Sequence, residues 1–196
     1  MSLRYAILAL LSVEPMTGYD LRGRFESSVG HVWHAPDSQI YPELRKMESA
    51  GLLISSSVAR GERGQKRWYR ITDDGAAEFR RWMNEPPDYR RVRDPAHLKA
   101  SYLEWAEPDS AREFFRAHID HFTGELQQWR EQARQIENNE SDMLNSRLAV
   151  TPVSRRRRTI AFKQHTYAGL IARAEQEIGW ARRGLELIDD LDGAEG

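Results

Sequence analysis

The chain has 196 residues, 40% hydrophobic and 30% charged, with 29 Lys and Arg against 30 Asp and Glu and a formal net charge of −1. Six Trp, seven Tyr and six Phe supply core material, which excludes a disordered chain. The charge balance excludes a globally basic nucleic-acid coat, though not a local basic patch. The absence of cysteine excludes disulfides, thiolate catalysis and cysteine-ligated metal sites. The longest apolar run, Ala6 to Val13, is broken only by Ser12. It falls well short of the roughly 20 residues that a membrane span needs. No cleavage-site pattern follows it, so a cytoplasmic protein with no membrane contact is expected.

Leu3 to Val13 predicts a first helix with Leu3, Ile7, Leu10 and Leu11 on one side, stopped by Pro15. Thr17 with Asp20 three residues on is a capping-box-like start. Leu21, Phe25 and Val29 then recur at helical spacing in a second helix. A third helix starts at Asp37 or Ser38, buries Ile40, Leu44 and Met47, and stops at Gly51. Pro42 is expected in its first turn, where a missing N–H is tolerated. Leu52–Val58 and Lys66–Ile71 predict a hairpin. Thr72 then caps a fourth helix with Asp73 and Asp74 at its start and Ala76, Phe79 and Met83 inward.

Helix, helix, helix, hairpin, helix is the order of a winged helix-turn-helix. Its third helix enters a major groove with its N-terminal residues at base edges. With Ile40, Leu44 and Met47 turned inward, Ser38, Gln39, Tyr41 and Arg45 face out. Gln suits adenine, Arg suits guanine and Ser is permissive, while Tyr reaches phosphate or sugar. Along the hairpin, Arg60, Arg63, Lys66, Arg67 and Arg70 stand against Glu62 alone. Next to a recognition helix, that strip is placed to follow phosphates or a minor groove.

Pro15, Gly18-Tyr19-Asp20-Leu21, Ile40-Tyr41-Pro42-Glu43-Leu44, Glu48-Ser49-Ala50-Gly51-Leu52, Lys66-Arg67-Trp68-Tyr69-Arg70-Ile71-Thr72 and Asp74-Gly75 together resemble the PadR family of transcriptional regulators, over about residues 1 to 84. The resemblance implies a winged-helix DNA-binding domain, a homodimer and a repressor. Carried over, DNA contacts fall on Tyr19, Ser38, Gln39, Tyr41 and Arg45, and wing contacts on Arg63, Lys66 and Arg67. Tyr19 has a second reading, as packing between the second and third helices. Two departures stand in the wing, where Gln65 replaces a proline common in the family and Trp68 replaces a common Tyr.

Glu85-Pro86-Pro87-Asp88 divides the chain. The expected organisation is a DNA-binding domain over 1–85, a linker over 86–94 and a helical dimerisation domain over 95–196. Pro95 to Trp105 predicts a short helix. Two long helices, about Asp109–Asn139 and Ser154–Leu191, fold back antiparallel through a loop around Ser141 to Pro152. Phe115, Ile119, Phe122, Leu126, Trp129, Ala133 and Ile136 stripe the first. Tyr167, Ile171, Ala174, Ile178, Ala181, Leu185 and Ile188 stripe the second. Ile171, Ile178 and Leu185 are the expected dimerisation residues. Phe114, Phe162, Leu170 and Trp180 lie off the seam and ask for a second surface, most simply another copy of the chain. This layout resembles the long-armed branch of the PadR family that includes virulence-activator-type regulators.

The whole reads as a mainly α chain, a winged helix-turn-helix head with a two-stranded wing followed by a long-helix antiparallel arm. The expected partners are double-stranded DNA carrying an inverted-repeat operator, a second copy of the chain, and a small apolar or aromatic effector. Trp33, Tyr102, Trp105 and Trp129 are the candidate pocket residues. No cofactor or metal is expected, since His31 with His34 and His118 with His121 lack a clear third ligand. No phosphate loop or nucleophile elbow is present, and no enzyme is expected. Arg155 to Arg158 sit where a helix N-terminus disfavours cations, either as a solvated tip or as a contact with an acidic partner or DNA phosphate. Two other classes compete with the regulator reading: a helical module that binds protein, and an apolar-ligand binder in which DNA is incidental.

Overall fold

A computed structural model describes residues 2–27, 36–59, 65–87, 89 and 93–194. The chain divides into two compact units, Met1–Asp88 and Tyr89–Gly196.

The first unit contains α1 (Ser2–Leu11), β1 (Met16–Thr17), α2 (Gly18–Ser27), α3 (Asp37–Ser49), β2 (Leu53–Ala59), β3 (Gln65–Ile71) and α4 (Asp73–Asn84). The periodic apolar residues of the three opening helices meet as one core. Ile7, Leu8, Leu21, Ile40, Leu44, Met47 and Leu53 are its fully buried side chains. Thr17 starts α2 through a reciprocal capping box. Its hydroxyl donates to Asp20 Oδ2 at 2.6 Å and accepts from the Asp20 N–H at 3.1 Å.

The hairpin pairs in the register Leu53↔Ile71 through Ala59↔Gln65. A third strand extends the expected two-stranded wing. β1 adds to the far edge of β3, with Met16 opposite Tyr69 and Thr17 opposite Trp68, giving the order β1-β3-β2. Two residues carry no periodicity of their own; the exposed edge of β3 is what makes them a strand.

Three details of the first unit differ from expectation. Pro42 stands in the second turn of α3 rather than the first, because the helix opens at Asp37 behind Pro36. It denies the Ser38 carbonyl its helical partner. Burial of Ile40, Leu44 and Met47 holds the helix against that cost. Met83 is 61% exposed rather than inward. One residue earlier, Trp82 stacks on Tyr5 of α1 at 4.4 Å, and the Tyr5 hydroxyl donates to Glu78 at 3.0 Å. The inner face of α4 therefore follows Gly75, Phe79 and Trp82, and Met83 lies about 100° round from it. At its start, Thr72 accepts from the Gly75 N–H at 3.0 Å and donates to the Gly51 carbonyl at 2.7 Å. Gly75 is required there, since a Cβ would come within 2.2 Å of the Leu52 carbonyl oxygen.

The second unit contains α5 (Pro95–Ala100), a 3-10 turn at Leu103–Trp105, α6 (Pro108–Glu137), α7 (Asp142–Ala149) and α8 (Val153–Ala194). The 30 residues of α6 and 42 of α8 reach about 45 and 63 Å at ~1.5 Å per residue. They pair antiparallel, with Arg112 on Asp189 at 3.0 Å near one end and Arg130 on Glu175 at 2.7 Å further along. Large side chains of α6 face small ones of α8. Ala174 and Ala181 are fully buried, and a Cβ on Gly184 would meet the Phe115 ring at 2.4 Å.

The expected loop between these helices contains α7. Ser141 caps it by accepting from the Leu144 N–H at 3.3 Å, and Leu144 is buried with Leu126, Trp129, Ile136 and Tyr167. Eight residues are too few to show a period, which is why the sequence reads there as a loop.

Candidate nucleic-acid interface

The exposed side of α3 follows directly from its buried stripe. With Ile40, Leu44 and Met47 sealed, Ser38, Gln39, Tyr41 and Arg45 stand in solvent. Arg45 and Lys46 border a notch with Pro42, Ser49 and Ala50. Tyr41 lies across the start of α2, where a Cβ on Gly18 would come within 2.5 Å of its ring. The glycine is what lets the ring settle there. Tyr19 is 66% exposed, with the Arg22 guanidinium 5.3 Å above its ring. That exposure places it on the surface instead of wedged between helices.

Two of the wing cations, Lys66 and Arg67, are not free charges. Lys66 Nζ is 3.8 Å from Asp20 Oδ2 and lies over the Trp68 ring at 5.5 Å. Hydrogen bonds from the Thr17 hydroxyl, then from its N–H, hold the Asp20 carboxyl below the usual range, with Lys66 adding to this. Arg67 reaches from β3 to the end of α3, where its terminal nitrogen donates to both Glu48 oxygens at 2.8 and 2.7 Å. Glu48 and Ser55 are site residues that the sequence reading missed. A lone carboxylate at a helix end gives no sign that it meets a strand residue so far along the chain. Arg63 lies outside the described residues, as do Trp33, His31 and His34.

Among the described residues, the candidate effector residues Tyr102, Trp105 and Trp129 do not share one environment. Trp129 is 5% exposed in the α6–α8 core, a seam position by its spacing, whereas Tyr102 is 59% and Trp105 87% exposed between α5 and α6. Of the expected dimerisation residues, Ile178 is buried in the core of this unit, Ile171 packs against it and Leu185 is half-buried. Leu170 packs on the same core, and Trp180 meets His97, Phe115 and His118, while Phe162 stays exposed. His118 Nε2 is 3.2 Å from Glu177 and His121 3.9 Å from Glu125. Among the described residues no three metal-ligating side chains come together, and no helix is long and apolar enough to cross a membrane. Arg155–Arg158 are exposed at the start of α8.

Residues 7–81 match the PadR-like family of transcriptional regulators. The negative transcriptional regulator PadR of Bacillus subtilis is 34% identical over 118 residues, 60% of this chain and 65% of that one, so the matched stretch is just under two thirds of that relative's length. The crystal structure of B. subtilis PadR with operator DNA superposes with a TM-score of 0.71 at 25% identity, covering 96% of this chain and 99% of that one. The same protein with p-coumaric acid gives 0.68 at 24%, over 95% of each chain. The Vibrio cholerae virulence activator AphA gives 0.57 at 24%, over 96% and 99%, a likeness of fold. Residues 7–81 belong to the PadR-like family of transcriptional regulators, a family of DNA-binding proteins and not of enzymes, and the chain as a whole shares the fold of B. subtilis PadR.

Proposed function

We propose that this chain is a sequence-specific DNA-binding repressor that works as a homodimer and is released by a small aromatic effector. The observation that carries the reading is α3: one side sealed by Ile40, Leu44 and Met47, the other presenting Ser38, Gln39, Tyr41 and Arg45. Those side chains suit base edges, with Arg45 on guanine and Gln39 on adenine. Tyr19 on α2 and Lys66 on β3, whose ion pair with Asp20 is a long 3.8 Å, serve as backbone contacts, and Arg63 lies in the same wing by sequence. The operator is an inverted repeat with half-site centres about 34 Å apart or a multiple of that. The negative regulator from B. subtilis supports the repressor sign.

The dimer reading is supported by α8, which leaves Phe162, Leu187 and Leu191 exposed after its seam with α6 is filled. The complex of B. subtilis PadR with p-coumaric acid supports an aromatic effector. Such an effector must bind the DNA-competent and released arrangements with different affinity, or it shifts nothing.

Fluorescence anisotropy on DNA from upstream of its own gene, against a scrambled duplex, tests the reading at two salt concentrations. Selective binding with a log–log salt slope near −7, for about eight neutralised phosphates, is expected. Weak, unselective binding that ignores salt would favour a protein-binding module instead.

A further inference from the structure

The sequence counts Arg67 among the cations that follow phosphate, yet the geometry commits it elsewhere. Its Nε donates to Ser55 Oγ at 2.8 Å, and its terminal nitrogen to both oxygens of Glu48. Ser55 Oγ in turn donates to Glu48 Oε1 at 2.5 Å. The three side chains close a ring across α3, β2 and β3, with the guanidinium carbon 5.6 Å over Tyr69. The Arg67 side chain is 47% exposed and that of Glu48 28%. Water screens such a pair, so it adds little to stability. Its larger consequence is for charge.

Non-specific affinity grows with the number of phosphates neutralised, whereas base contacts do not depend on that number. A cation held by a carboxylate is subtracted from the first and not from the second. We propose that Glu48 is a specificity-determining residue that withholds Arg67 from the DNA backbone, so that the recognition helix rather than the wing decides where the protein binds. The inference rests on the DNA-binding reading above. It reverses the expectation for one residue: Arg67 contributes little to phosphate binding while Glu48 is ionised, and becomes a strong phosphate ligand when Glu48 is neutral.

The test uses the full chain and a 24-base-pair duplex of mixed sequence without an inverted repeat. Binding is followed by anisotropy across a salt series for wild type, Glu48→Gln, Arg67→Met and the double variant, each checked for an unchanged thermal melt. Glu48→Gln is expected to tighten binding several-fold and to steepen the log–log slope by about one per bound protomer. Arg67→Met is expected to bind as wild type does, and the double variant to match Arg67→Met. Equal tightening in the Arg67→Met background would overturn the proposal, since the effect would then be simple loss of a negative charge. A flattened slope for Arg67→Met alone would also overturn it, because Arg67 would then already hold phosphate.

Hydrogen exchange at the Arg67 Nε–H, read by NMR without DNA, is independent of the functional reading. Slow exchange in wild type and fast exchange in Glu48→Gln are expected; equal rates would show that the carboxylate does not hold the guanidinium. A wild-type chain that bound no duplex at any salt would overturn this inference together with the DNA-binding reading. Unchanged binding by Glu48→Gln would overturn the inference alone.

Discussion

In the head, three helices and a sheet seal Ile7, Leu8, Leu21, Ile40, Leu44, Met47 and Leu53 from solvent. In the arm, the residues sealed completely are the small Ala174 and Ala181, and Phe162, Leu187 and Leu191 remain exposed on α8. The difference is geometric. Three layers can turn every apolar stripe toward a common centre, whereas two helices bury only the stripes that face each other. The head is therefore built to hold its shape without help. The arm has a complete seam and an incomplete outer surface, and its interior depends on a few contacts along one line.

Ile178→Asp strikes that line directly. An unpaired carboxylate there should cost about 3–5 kcal/mol. The comparison predicts an early melting transition for the arm while the head melts as before, followed by calorimetry, with size-exclusion chromatography to follow the proposed dimer. A single unchanged transition would contradict the division between the regions. Leu44→Ala is the matching blow to the head, at about 2–5 kcal/mol. It should lower the head's transition and leave the arm's in place. Gly75→Ala drives a methyl against the Leu52 carbonyl oxygen and should cost about 1–3 kcal/mol in the head, read from the same melts.

The smallest expected effect concerns pH. Asp20 and Glu48 in the head both ionise below their usual range, Asp20 chiefly through the Thr17 hydroxyl and Glu48 chiefly through Ser55 and then Arg67. Their contribution is present above the unfolded carboxylate range near ~4 and is lost as pH falls through the folded values. Thr17→Ala should cost about 1 kcal/mol as a lost cap. It should also flatten the acid limb of the head's stability curve; an unaltered limb would remove Asp20 from the account. In the arm, hydrogen bonds from Arg134 and then Gln135 lower Glu131 to about 2. That side chain is 48% exposed, so added salt should mask its pH dependence, whereas the capping contacts of Asp20 should resist.

The same geometric difference explains what could be read from the sequence. Helices with a buried stripe announced themselves by period, which is why α1, α2, α3, α6 and α8 were legible, with caps at Thr17 and Thr72 marking two of the starts. Features that exist only through a neighbour were not. β1 is two residues long and needs β3 beside it. α7 is held by Leu144 entering a core made elsewhere. Met83 and Trp82 exchange roles because Tyr5 offers one of them a stacking partner. At the candidate site, the outward residues of α3 followed from the inward ones by subtraction. The engagement of Arg67 by Glu48 did not, since composition counts charges and cannot pair them across three elements.

The central claim is that the outward face of α3 reads base edges. The most direct test compares wild type with Gln39→Ala and Arg45→Ala, each titrated into a selected operator and into the same duplex scrambled. Each substitution is predicted to cost about 1–3 kcal/mol on the operator, roughly 5- to 150-fold, and little on the scrambled duplex. Equal losses on both duplexes would contradict the claim, because α3 would then touch only the backbone.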